Sequence, residues 1–299
     1  MLRHALWLSL LLTALPAAAE TVLYAVSNRV HFTEGATGIW SNLYRVDPAT
    51  GQFVLLAPVH VNGQTTVTIV TLAIHPKTDV VYAASGSRSP TSPSSLLVLD
   101  PRTGEAKVVG PIGHVVSDLA YTDDGRLYAW LPEENRLAQV DPATGGVKLL
   151  PPSGITGEPG GGGFVIDERG VGYVAATGGE GTLDRVDIKS GHATPGPRLT
   201  GAPFPAAISN LTFSPDGRMY AVNSNMGAPA ATALVKIDPA SGKVAQVGKL
   251  PNDAHALIFV PHDPLTMWLW IGAGIAVLVA IGGVVYRRRV ARARQAHEG

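Results

Sequence analysis

Residues 43–51 read LYRVDPATG, and the chain returns to this stretch four more times. The later copies are LLVLDPRTG at 96–104, LAQVDPATG at 137–145, LDRVDIKSG at 183–191 and LVKIDPASG at 234–242. Each copy is an apolar run followed by a turn. Asp caps such a turn through its side chain, Pro presets φ, and Gly takes the positive φ that closes it. Successive copies begin 41 to 53 residues apart, so one structural unit is repeated along the chain.

A second motif interleaves with the first. It reads LAIHPKTDVVYAAS at 72–85, LAYTDDGRLYAW at 119–130, FVIDERGVGYVAA at 164–176 and LTFSPDGRMYAVNS at 211–224. Each is a β-type run, a tight turn and a second run carrying a tyrosine. Together the motifs predict units of four antiparallel strands, which is the signature of propeller blades. Tyr82, Tyr128, Tyr173 and Tyr220 hold equivalent places, and Tyr24 in TVLYAV joins them. Tyr24 lacks the strand that should precede it. ALIFVP at 256–261 supplies that strand from the other end and closes the ring. The expected fold is an all-β, five-bladed β-propeller closed by the N- and C-terminal strands of the domain.

The ends of the chain set its expected location. MLRHALWLSLLLTALPAAAE has a charged start, an apolar run and the small residues 17–19, so residues 1–19 are predicted to be a secretory signal. The propeller is expected over 20–262 and one transmembrane helix over 263–286. Within it, 265–286 is free of charge, long enough to cross a bilayer and edged by Trp268, Trp270 and Tyr286. Residues 287–299 form a basic tail with Arg287, Arg288, Arg289, Arg292 and Arg294, which the positive-inside rule puts in the cytoplasm. These signals predict a single-pass protein of a bacterial cytoplasmic (inner) membrane with its propeller in the periplasm. Gly272, Ala276 and Ala280 form a small-residue stripe at spacing four, suited to pairing of two such helices.

The overall charge of zero hides an asymmetry. Arg3 and the five tail arginines lie outside 20–264, which leaves 17 Lys+Arg against 22 Asp+Glu, a net of −5. An acidic exported domain is not a nucleic-acid binder. The chain has no cysteine, which excludes disulfides, thiolate metal sites and cysteine nucleophiles.

In a propeller of this order the long connections gather on one face. Residues 28–41, 86–94, 225–232, 59–67, 151–162 and 200–208 belong to it, and loops on a rigid scaffold are where binding is placed. The channel mouth on that face is lined where each inner strand begins, at Thr71, Asp118, Gly163, Asn210 and Ala256, with Ser117, Ser209 and His255 beside them. Asp118, Asn210, His255, Thr71 and Ser209 are the candidate ligand-binding residues, for a small ligand or a divalent cation. The competing expectation is that they bind channel water and strand ends. His31, Trp40, His60 and His114 fall on the rim of the loop face. Trp130 is either a loop-face anchor or blade packing. PGGGG at 159–163 precedes a strand rather than a helix, so it is not a phosphate cradle. No G-x-S-x-G, H-x-x-x-H or H-E-x-x-H occurs, and no catalytic residue is assigned.

S-P-D-G-x-x-Y at 214–220 and the V-D-P-x-T-G turns resemble those of bacterial β-propellers of the YVTN, NHL and gluconolactonase type, over roughly residues 20–262. The gluconolactonase-type resemblance implies a divalent cation at the channel mouth, held by carboxylate and asparagine ligands in N-G-L-x-F-S-x-D-G…Y-x-x-D-S. Here the matching stretch is S-N-L-T-F-S-P-D-G…Y-A-V-N-S, so Ser209 stands for the ligand asparagine and Asn223 for the ligand aspartate. Both changes weaken a hard-cation site. The expected function is a membrane-anchored propeller that binds or scaffolds a protein or small ligand in the cell envelope, with no cofactor. A metal-dependent, lactonase-like hydrolase is the alternative, and a purely structural envelope protein is a third class.

Overall fold

A computed structural model describes residues 21–30, 39–155, 162–176, 181–204, 207–225 and 231–260. The chain divides into a unit spanning Thr21–Pro261 and a second made of the two ends, 1–20 and 262–299. The signal, the transmembrane stretch with Gly272, Ala276 and Ala280, the basic tail and His31 lie outside the described residues. Among the described residues no helix is long and apolar enough to cross a membrane.

Five blades are present. The first is built from Ala254–Val260, Val22–Ser27, Asn42–Val46 and Phe53–Pro58, in that spatial order, so its inner strand comes from the end of the domain. Val22 pairs with Val260 and Val26 with Ala256, which is the predicted closure. The second blade runs outward through Ile69–Ile74, Val81–Ser85, Ser95–Leu99 and Glu105–Pro111, with the short strand His60–Val61 added parallel on its outer edge. The third comprises Asp118–Tyr121, Leu127–Leu131, Arg136–Val140 and Val147–Pro152. The fourth comprises Phe164–Ile166, Val171–Ala176, Thr182–Asp187 and Ala193–Thr194. The fifth comprises Ala207–Phe213, Met219–Asn225, Ala231–Ile237 and Val244–Leu250.

The register is the same in every blade. Tyr24, Tyr82, Tyr128, Tyr173 and Tyr220 pair with Arg45, Val98, Gln139, Arg185 and Lys236, each two residues before the turn aspartate. Both faces of a blade pack on its neighbours, so strands such as VLYAVS and LYAWL are buried along their whole length instead of alternating. The core is accordingly five slabs, one between each pair of adjacent blades. Trp130 belongs to the slab between the third and fourth blades, so it is packing.

The turn that founds the repeat has a tertiary role as well as a local one. Asp47 Oδ1 accepts from the N–H of Ala49, and the Asp47 carbonyl accepts from the N–H of Gly51, both at 2.8 Å. The other four turns repeat the carbonyl contact at Gly104, Gly145, Gly191 and Gly242. Each of these glycines also meets the outer strand, or the chain just beyond it, of the preceding blade. A Cβ on Gly104 would lie 2.4 Å from the Pro58 carbonyl oxygen, and one on Gly51 2.8 Å from Gly248 Cα. The twist of a four-stranded blade carries its outer strand across to the next blade's turn. A residue with a side chain would hold the two apart, so glycine serves both the turn and the seam.

Candidate functional site

The five inner strands meet at the axis with their open edges inward. Such an edge exposes backbone N–H groups that no strand pairs, and burial makes an unpaired N–H costly. One carboxylate answers three of them, at Leu119, Phe164 and Leu211. Asp118 is fully buried. Its Oδ1 accepts from the Thr71 hydroxyl of the second blade and from its neighbour Leu119 N at 3.0 Å. Its Oδ2 accepts from Phe164 N of the fourth blade at 2.8 Å and Leu211 N of the fifth at 3.1 Å. The Asn210 amide donates to both oxygens, at 2.9 and 3.1 Å. Asn210 Oδ1 in turn accepts from Leu257 N of the first blade at 2.8 Å. Thr71, Asp118 and Asn210, all fully buried, thereby tie the five inner strands into one knot.

This knot needs close approach between the fourth and fifth blades. Gly163 donates its N–H to the Ile208 carbonyl at 3.0 Å. A Cβ on Gly163 would stand 2.6 Å from the Asn210 carbonyl carbon and 2.7 Å from Leu211 N. The last glycine of PGGGG is therefore a contact between blades. The sequence signal was a glycine aligned with Thr71, Asp118, Asn210 and Ala256, the one position of that set with no side chain.

One residue earlier, toward the loop face, lies a second ring. Val70, Ser209 and His255 are each the extra residue of a β-bulge in their inner strand. The Ser209 hydroxyl donates to the His255 carbonyl at 3.2 Å, and His255 Nδ1 lies 2.8 Å from the Val70 carbonyl. Ser117 repeats the pattern by donating to the Gly162 carbonyl at 2.9 Å. A carbonyl only accepts, so His255 carries its proton on Nδ1, which leaves Nε2 with a lone pair. His255 is therefore beside the knot but not part of it.

Burial pushes Asp118 up from the usual carboxylate value to about 7, against the opposing pull of Thr71, Phe164, Leu211 and Leu119. Burial lowers His255, against its bond to Val70. A lowered histidine contributes stability that is present above its ordinary value of 6.5 and lost as pH falls through the folded-state value. His255→Gln is accordingly expected to flatten the loss of stability in urea melts below pH 6.5. An unchanged acid limb would show that another group sets it.

The rim residues are dispersed. His114 Nδ1 pairs with Glu134 Oε1, whose other oxygen lies 3.7 Å from Arg136 Nε. His60 lies on the outer edge of the second blade and donates its backbone N–H to the Gly104 carbonyl at 2.9 Å. Trp40 is half-buried in a two-residue strand, Ile39–Trp40, paired with Arg29–Val30. Among the described residues no three His, Asp or Glu side chains come together to hold a metal. Asn223, aligned with the gluconolactonase-type ligand aspartate, is buried and holds Phe204 instead, through Oδ1 to its N–H at 3.0 Å and Nδ2 to its carbonyl at 3.1 Å.

No protein-family model matches the chain, and no curated protein matches it. Solved structures do. A chain of the nidogen/laminin complex superposes with a TM-score of 0.51 at 12% identity, covering 81% of this chain and 98% of that one. The likeness is one of propeller fold. Hydrazine synthase of Kuenenia stuttgartiensis matches 62% of this chain with a TM-score of 0.40 at 22% identity. This chain covers 51% of the hydrazine synthase chain.

Proposed function

We propose that this chain is an exported propeller of the YVTN, NHL and gluconolactonase type, held at the cytoplasmic membrane by residues 263–286, whose loop face binds a protein or small ligand in the cell envelope. The observation that carries this reading is the saturation of the axial knot. Both Asp118 oxygens and the Asn210 oxygen are engaged by donors from the inner strands. A hard cation needs several free oxygens. The axis therefore serves the fold, and recognition falls to the long connections, the His114–Glu134 pair and the free side of His255. A fold of the same kind occurs in a structure of nidogen with laminin, which is in keeping with a binding role.

Thermal unfolding of the full chain in detergent, with EDTA and then with calcium, magnesium, manganese and zinc, tests the choice. A cation at about 100 times its dissociation constant adds about 2.7 kcal/mol, a rise of several degrees. No rise is expected. A rise with one cation, reversed by EDTA, would replace the binding-module reading with the metal-dependent, lactonase-like hydrolase.

A further inference from the structure

The outer strand of the first blade, Phe53–Pro58, is unlike the other four. Phe53, Val54, Leu55 and Leu56 are 44, 64, 56 and 40% exposed, side by side, with no charged residue among them. Outer strands are open edges, and proteins guard such edges with lysines, short strands or a covering segment. Lys107, Lys148 and Lys249 guard the second, third and fifth blades. His60–Val61 also covers the second, and the fourth blade's outer strand is two residues long. Only the first blade, among the described residues, leaves an uncharged apolar edge. Such a patch marks an interaction surface.

The course of the chain says what covers it. Val260, the last described residue, ends the inner strand of this same blade. Val260 pairs with Val22, the adjacent Leu23 with Val46, and Val46 with Phe53. Phe53 is thus three strand spacings from the point of exit, roughly 15 Å. Four residues, 261–264, separate Val260 from the apolar run 265–286. Even fully extended they reach about 14 Å. With that run in a bilayer, the exit end of the first blade cannot leave the membrane surface. Phe53 is held edge to face against the buried Tyr44 at 5.8 Å, which fixes its exposed ring at that end of the edge.

From this we infer that the Phe53–Leu56 edge rests in the lipid interface, so that the first blade seats the propeller on the membrane. The inference rests on the membrane-anchored reading above. A lipid surface fits better than a second copy. Two strands of six residues, each about 20 Å long, fall short of the 1,200–2,000 Å² that a stable pair buries.

The cysteine-free chain allows single labels. Val54→Cys, Leu149→Cys and Val277→Cys, each carrying a nitrobenzoxadiazole dye, are reconstituted as full chains in phosphatidylcholine/phosphatidylglycerol vesicles. Spin-labelled phospholipid then serves as quencher. Leu149 is a control, 41% exposed on the third blade. Quenching at 277 and 54 but not at 149 is the expected result. Quenching at 277 with none at 54 overturns the seating and leaves the anchor intact. Equal quenching at 54 and 149 also overturns it. No quenching at 277 removes the anchor, and the inference falls with it.

Discussion

Asp118→Ala in the full chain is expected to lose at least about 4 kcal/mol of folding stability. The alanine would abandon the backbone N–H groups of Phe164 and Leu211, the Thr71 hydroxyl and the Asn210 amide, while the Leu119 N–H keeps the Thr71 hydroxyl oxygen at 3.0 Å. Each buried donor left unsatisfied costs about 1–3 kcal/mol, and water entering the gap recovers only part of it. For a domain of this size the midpoint should fall by roughly 10 °C. Asp118→Asn keeps one acceptor oxygen but turns N–H groups toward donors, so it should fall between alanine and the wild type. The pH response is specific to the carboxylate. The pKa of Asp118 is about 7 in the fold and 3.8 for the free side chain, so between those values the folded chain keeps a proton the unfolded chain has released. The stability this contributes is complete below about pH 4 and is lost as pH rises through 7. In urea melts the wild type should lose roughly 3 kcal/mol relative to Asp118→Asn between pH 5 and pH 8. A difference constant with pH would mean that the donors outweigh burial and keep the group ionised throughout.

Gly163→Ala adds one methyl group and is expected to cost about 3 kcal/mol or more, at the upper end for overpacking. The new Cβ would meet the backbone of Asn210 and Leu211 at 2.6–2.7 Å. A flexible side chain could swing away from such a contact, but backbone cannot. The fifth blade must shift, and with it the Leu211 N–H and the Asn210 amide that Asp118 receives. The loss should therefore be less than additive in the Gly163→Ala, Asp118→Ala double variant, because both break the same bonds. Full additivity in denaturant melts would separate the glycine contact from the knot. Gly217→Ala is a useful comparison. Gly217 also sits in a tight turn, with φ +78°, but nothing lies within 4 Å of its added Cβ, so only backbone strain remains.

Much of this architecture is local in origin and was legible in the chain. The blade count, the tyrosine register and the closure of the first blade by 256–261 follow from turn residues and apolar runs a few residues long. Such elements carry their instructions within themselves, and repetition makes the instructions conspicuous. The equivalence of Thr71, Asp118, Gly163, Asn210 and Ala256 was legible too, although Thr71, Asn210 and Ala256 lie inside their inner strands instead of at the starts. Their chemistry was not. A sequence shows that an aspartate and an asparagine reach the axis. It does not show whether their oxygens face water, a cation or the backbone N–H groups of four blades.

The sequence by itself determined the repeat, the five blades, the turn geometry and the positions that converge. Tertiary structure alone decided that Asp118 and Asn210 turn to each other and to the strand edges, while His255 is left beside them on a bulge. It also decided that the turn glycines double as seams between blades, and that the Phe53–Leu56 edge stays bare. The physical reason is range. Turns and strands are set by neighbours along the chain, whereas the partners of a buried polar group are residues up to 93 positions away, brought close only when the ring shuts.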